Sequence, residues 1–164
     1  MTAIPTQLSH VDDEQQPRMV DVGAKAVTRR TAQARARVMF PADVARRLHD
    51  AGYVTPKGAV LTVAQIAGVM GAKATPQLIP LCHPLSIDKC DISIRMEGVD
   101  ALIECTVSCS GRTGVEMEAL TGASVAALTI YDMCKAMSHD IVIGDVRLVS
   151  KTGGKQDFGT TESA

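Results

Sequence analysis

Three stretches of apolar–polar alternation constrain this chain more than any other feature. In residues 29–39, Ala34, Ala36 and Val38 face one way and Gln33, Arg35 and Arg37 the other. In residues 90–97, Ile92, Ile94 and Met96 stand against Asp91, Ser93, Arg95 and Glu97, and in residues 101–109 Ile103, Cys105 and Val107 share a side. A period of two marks a half-buried strand. Gly98-Val99-Asp100 is a turn, so the last two stretches make a hairpin. A further strand is expected through Ile141–Val149, interrupted at Gly144. A sheet with one apolar face needs helices on that face.

The helices are legible from their punctuation. Pro41 opens a short helix carrying Val44, Leu48 and Ala51, and Gly52 stops it. A second runs from about Ala59 to Ala74, ended by Thr75-Pro76. Thr113 and Glu116 read as a T-x-x-E capping box opening a long helix from about Gly114 to Met137. The order is β-α-α-β-β-α-β. Without one of the first two helices this is the ferredoxin-like split βαβ, an α+β fold with an antiparallel sheet covered by helices on one face. Its other face is left to solvent or a partner.

The 164 residues fit one domain, expected at 18–150, with a polar arm at 1–17 and a mobile tail at 151–164. Aromatic residues number four, Phe40, Tyr53, Tyr131 and Phe158, so the core is built from Ala, Val, Leu, Ile and Met. Without aromatics on the hairpin strands the sheet lacks the stacking platform of RNA-binding ferredoxin-like modules. A formal charge of −1 also argues against a nucleic-acid partner. The longest charge-free helical stretch, between Glu118 and Asp132, spans roughly 20 Å, short of a ~30 Å bilayer core, so no membrane partner is expected. The N-terminal MTAIPTQLSHVDDEQQP has no basic start and no apolar h-region, so no export signal is expected. Five cysteines without a CxxC pair fit reduced thiols in the cytoplasm. Cys82-His83 with Cys90 lacks zinc spacing, so no metal site is expected.

The long helix carries the most informative polar residues. Glu118 and Asp132 stand nearly four turns apart, on about the same face but roughly 21 Å apart along the axis. Lys135 lies one turn beyond Asp132. One small substrate cannot touch both ends. Gly122, Ala123, Ser124, Ala126 and Ala127 permit close approach by another helix, and an antiparallel two-fold pairing with a second copy would bring Glu118 of one chain near Asp132 and Lys135 of the other. The alternative is that Asp132–Lys135 is a solvated ion pair and Glu118 a first-turn dipole partner. His83, held between Pro80 and Pro84, suits proton transfer or an anion contact, or else caps its own loop. Lys57, in a turn before the second helix, can reach an anion or be an ordinary surface lysine. Arg30 and the Lys151-Thr-Gly-Gly-Lys155 run are further candidate phosphate contacts, although the run is no P-loop.

The segments MVDVGAKAVTRRTA, LIPLCHPL, TGVEMEALTGASVAALTIYDMCKA and VRLVSKTGGK resemble the cyclic pyranopterin monophosphate synthase, or MoaC, family of molybdenum cofactor biosynthesis, from about Met19 to Lys155. One departure is Gly122, where the family usually has alanine, which is expected to loosen the helix slightly. The resemblance implies a ferredoxin-like subunit in a homohexamer, a trimer of dimers, with the site at the dimer interface. It implies a lyase that converts 3′,8-cyclo-7,8-dihydroguanosine 5′-triphosphate to cyclic pyranopterin monophosphate and pyrophosphate without a redox cofactor. On the family's pattern Asp132 matches the catalytic position. Leu81, Cys82, His83, Met117 and Glu118 match substrate-binding positions, and Glu116, Lys57, Lys135, Lys151 and Arg30 further active-site positions. The residues' own chemistry agrees: a carboxylate–lysine pair such as Asp132–Lys135 can pass protons, and cations can neutralise a triphosphate. A regulatory small-molecule module on the same fold would release no pyrophosphate.

Overall fold

A computed structural model describes residues 16–159 of the chain. The alternating stretches become β1 (Thr28–Met39), β4 (Lys89–Glu97) and β5 (Asp100–Gly111), joined by β6 (Val142–Thr152) and a two-residue β7 (Phe158–Gly159). They form one sheet of order β4-β5-β1-β6-β7 in which every pairing is antiparallel. Between β1 and β4 lie α1 (Ala42–Asp50), the small hairpin β2 (Val54–Thr55) and β3 (Gly58–Ala59), then α2 (Val60–Lys73) and the short α3 (Thr75–Leu78). The long helix α4 (Glu116–Cys134) follows β5. With the small hairpin and β7 set aside, this is the ferredoxin-like strand order, with α1 as the added helix.

The alternation is realised residue by residue. Ala32, Ala34, Ala36 and Val38 of β1 and Ala101, Ile103, Cys105 and Val107 of β5 are buried with Ala119, Ala123, Ala126 and Ile130 of α4. Each fully buried branched side chain among them contributes about 1.5–3 kcal/mol relative to exposure. On the opposite sheet face Arg35 meets Glu104, its direct cross-strand neighbour, at 2.8 Å, and Arg37 meets Asp100 and Glu97 at 3.1 Å each. Such surface pairs contribute ~0–1 kcal/mol apiece, so this ladder defines strand register more than stability. Gly144 is where β6 loses its even pairing: the register shifts between Arg35 and Arg37, and Asp145 takes a positive φ of 51°. The interruption is a bulge within a continuous strand.

Four expectations need correction. The Thr113–Glu116 capping box does not form: α4 starts at Glu116, Val115 is its N-cap, and no side chain caps it. The Glu116 carboxylate turns to Lys151 instead, at 3.0 Å. The helix closes at Cys134 with Lys135 as C-cap, short of Met137. The tail boundary at Lys151 falls inside β6, and β7 pairs back on Ser150 and Lys151. Residues 160–164 and nearly all of the 1–17 arm lie outside the described residues. Finally, the small residues of α4 are not left free for another chain. Gly122, Ala123, Ala126 and Ala127 are buried within this one.

The helix they admit is α2. A Cβ on Gly122 would lie 2.7 Å from Cys105 Sγ and 3.2 Å from the Gly68 carbonyl oxygen, and one on Gly68 would lie 2.9 Å from the Gly122 carbonyl oxygen. The two helices therefore cross backbone to backbone over the sheet. The departure to glycine at Gly122 is filled by the Cys105 thiol, so the contact is tight where loosening was expected. The outer surface of this helical layer remains apolar, with Ile66 59%, Met70 65% and Leu128 57% exposed.

Candidate active site

Three local structures bring the polar candidates into two groups, one at each end of α4. The first group sits at its C-terminal end. Gly52 (φ 61°) and Tyr53 (φ 59°) both take left-handed backbone after α1, a conformation that costs a non-glycine residue about 1–2 kcal/mol. The reversal is held by Tyr53 N–H donating to the Leu48 carbonyl at 2.8 Å and Val60 N–H donating to the Tyr53 carbonyl at 2.9 Å. It throws the β2–β3 hairpin, with Lys57 at its tip, across the end of α4. Lys57 Nζ reaches Asp132 Oδ2 at 2.7 Å and donates to the Asp132 carbonyl at 2.9 Å. Lys135 Nζ meets the other oxygen, Asp132 Oδ1, at 2.8 Å. Hydrogen bonds from Lys135 first and Lys57 second hold the Asp132 carboxyl down at about 2. Asp132 in turn raises Lys135. The result is one fixed anion and two fixed ammonium groups, all half-exposed and open to a ligand.

The second group sits at the N-terminal end. Two adjoining cavities meet there. One, of about 440 Å³, is lined by Lys25, Arg30, Arg112, Lys151 and Lys155, with Glu116 as its one carboxylate. The other, of about 810 Å³, is lined mainly by apolar groups, among them Val20, Val22, Leu81, Cys82, Leu85 and Met117, together with His83 and Glu118. Lys25, Thr113, Gly114, Glu116 and Lys155 line both, so the two are lobes of one groove. Arg30 is braced by donating to the carbonyls of Gly111 and Arg112, each at 3.4 Å. His83 Nε2 donates to the Val20 carbonyl at 2.8 Å. That bond fixes the ring and leaves Nδ1 as the basic nitrogen of the neutral form. Burial, and then the nearby Glu118 charge, pushes the Cys82 thiol up, so it is no ready nucleophile.

Glu118 is the buried carboxylate of this groove, 3% exposed. Burial raises its carboxyl above the usual range; its own backbone N–H opposes the shift, and Glu116 adds to it. A carboxyl raised by the fold stabilises the fold in its neutral form, at low pH, and that stabilisation is lost as pH rises through the folded value. The ionised form of Glu118 is therefore the one the fold disfavours. Glu118→Gln is expected to raise the melting temperature at pH 7 by about 2–4 °C, the response of a chain this size to ~1 kcal/mol, and to leave it unchanged near pH 4. Calorimetric unfolding at both values checks this; a lower melting temperature at pH 7 would mean that the carboxylate is paired and stabilising.

The sequence candidates thus divide. Leu81, Cys82, His83, Met117, Glu118, Glu116, Lys151 and Arg30 come together, and Asp132, Lys135 and Lys57 come together. Lys57 joins Asp132 and not Lys151 and Arg30, and within one chain His83 does not meet Asp132. Lys25 and Arg112 were missed, although each lies in or beside a segment already singled out, MVDVGAKAVTRRTA and TGVEMEAL; isolated exposed cations carry no local signal of the cavity they face. Among the described residues no three His, Cys, Asp or Glu side chains are grouped to hold a metal ion, and no helix is long and apolar enough to cross a membrane.

The profile of the MoaC family matches residues 19–154. A protein of Xanthomonas oryzae pv. oryzae named cyclic pyranopterin monophosphate synthase is 57% identical over 157 residues, 95% of each chain. Its namesake in Heliobacterium modesticaldum is 54% identical over 90% of this chain and 93% of its own. Molybdenum cofactor biosynthesis protein 1 of Drosophila melanogaster is 54% identical over 96% of this chain and 28% of its own length.

Proposed function

The chain belongs to the MoaC family, and from that premise we propose that it is a cyclic pyranopterin monophosphate synthase. It converts 3′,8-cyclo-7,8-dihydroguanosine 5′-triphosphate to cyclic pyranopterin monophosphate, releasing pyrophosphate, in molybdenum cofactor biosynthesis. The observation that carries the reading is the two-lobed groove, in which five cationic side chains adjoin a larger apolar lobe. A purine-derived triphosphate has these same two parts. Arg30, Lys25, Lys151 and their neighbours meet the phosphates and neutralise the charge that grows as pyrophosphate leaves. Leu81, Cys82, His83, Met117 and Glu118 enclose the ring system.

The Asp132 group supplies the proton chemistry. With its carboxyl held at about 2, Asp132 is an anion at neutral pH and a weak base while both lysines face it. The acids are Lys135 and Lys57, which Asp132 orients. Once one ammonium gives up its proton or turns to the substrate, the carboxylate loses a partner and its basicity rises. The reaction rebuilds a ring and closes a cyclic phosphate, which calls for such proton transfers and for no hydride.

Because the two groups lie at opposite ends of α4, the groove of one copy is completed by the Asp132 group of a second. The smallest competent unit is a dimer, and the assembly is a hexamer of three dimers. The exposed Ile66, Met70 and Leu128 supply apolar surface of the kind subunit contacts bury. Five cysteines, all without disulfide partners, suit the reducing cytoplasm. Incubation with the cyclic triphosphate is expected to yield pterin product and pyrophosphate in equal amounts. Saturable binding with no pyrophosphate release would favour a regulatory module instead.

A further inference from the structure

The chain leaving β6 forms a built loop whose closing contacts the chemistry above does not use. Gly153 N–H donates to Asp157 Oδ1 at 3.0 Å, which closes the turn from 153 to 157. Thr28 Oγ1 donates to the Gly153 carbonyl at 2.9 Å, which ties the turn to the start of β1. Phe158 then returns to pair with Lys151, and Gly159 with Ser150. Gly153 has φ 83°, and a Cβ there would lie 1.9 Å from the Arg29 carbonyl oxygen, so the loop rests directly on the backbone that carries Arg30. A Cβ on Gly154 would lie 3.2 Å from Arg30 Nη1. Lys151 opens this loop, Lys155 stands in its middle, and both line the cationic lobe.

We propose that Asp157 is a positioning residue for the phosphate lobe. By closing the turn it keeps Lys151 and Lys155 against Arg30, and so raises affinity for the pyrophosphate end of the ligand. The inference rests on the polyphosphate reading of the groove given above. It makes a prediction of unusual sign. Asp157 is itself an anion beside an anion site, so if charge were its only effect, its removal would tighten phosphate binding. A positioning role requires the reverse, because freed lysines must be ordered again when the ligand binds.

The test is titration calorimetry with inorganic pyrophosphate at fixed ionic strength, alongside steady-state kinetics. Asp157→Ala is expected to weaken pyrophosphate binding about tenfold and to raise KM in parallel, with kcat held within about twofold. Asp157→Asn, which keeps the acceptor oxygen and loses the charge, is expected to bind as well as the unmodified chain or better. Thr28→Val, which removes the other tie on Gly153, serves as the second variant if Asp157→Ala does not fold, with the same weakening expected. Tighter or unchanged binding by Asp157→Ala, or equal weakening by Asp157→Asn, overturns the positioning role and leaves the groove's assignment standing. Failure of the unmodified chain to bind pyrophosphate overturns the assignment and the positioning role together.

Discussion

Replacing Asp132 with alanine is expected to lower turnover by ~10²–10⁴-fold, the usual range for general acid–base catalysis. The carboxylate holds Lys57 at 2.7 Å and Lys135 at 2.8 Å, so its removal releases two ammonium groups at once. Substrate affinity should fall much less, since the phosphate contacts proposed above, Arg30, Lys25 and Lys151, lie at the far end of α4. Lys135→Ala should resemble Asp132→Ala, and the double variant should be little worse than either, because groups acting as a unit are non-additive. The fold should survive, as the Asp132 and Lys135 side chains are 54% and 50% exposed and neither enters the core. The measurement is kcat and substrate affinity over the unmodified chain, both single variants and the double. Losses that multiply, or that fall wholly on binding, would reduce Asp132 to part of the substrate's cradle.

The pH behaviour follows from the same geometry. The folded Asp132 carboxyl lies at about 2, below its ordinary 3.8, so the interaction with its lysines is intact above the ordinary value and is lost only as pH falls through about 2. Protonation of Asp132 is therefore not expected to limit activity at mildly acidic pH. Glu118, raised by burial, takes up its proton before Asp132 on acidification.

What could be read from the sequence, and what could not, divides by the range of the interaction. The sheet was legible because alternation in 29–39, 90–97 and 101–109 is a local signal of a face, and the turn at Gly98-Val99 specifies the hairpin. The start of α4 was misread because the capping box is also a local signal, and a distant lysine overrode it: Lys151 takes the Glu116 carboxylate. The small residues of α4 were correctly read as a helix contact. The partner, α2, is set by the crossing at Gly68 and Gly122, which periodicity does not encode. Asp132 and Lys135 were paired from their one-turn spacing. Lys57 joins them through a left-handed turn at Tyr53, a residue whose side chain gives no hint of positive φ. Lys25 and Arg112 enter the groove only through tertiary placement.

That division leaves the case for a shared site resting on one fact: the groove around Glu118 and the lysine-bound Asp132 lie at opposite ends of a single helix, roughly 21 Å apart by its rise of ~1.5 Å per residue. If each site takes its groove from one chain and its Asp132 group from another, two dead proteins can make a live one. Chains carrying Glu118→Ala and chains carrying Asp132→Ala should each be inactive alone. After subunit exchange, a mixed dimer holds one site with both defects and one with neither. Equal mixing of freely exchanging dimers makes about half of them mixed, each with one intact site, so about a quarter of the unmodified activity should return. The measurement is pyrophosphate release from the exchanged mixture, with exchange shown independently by mass-tagged subunits. Activity near that level is the predicted result; a mixture that stays inactive despite proven exchange would contradict a site built from two chains.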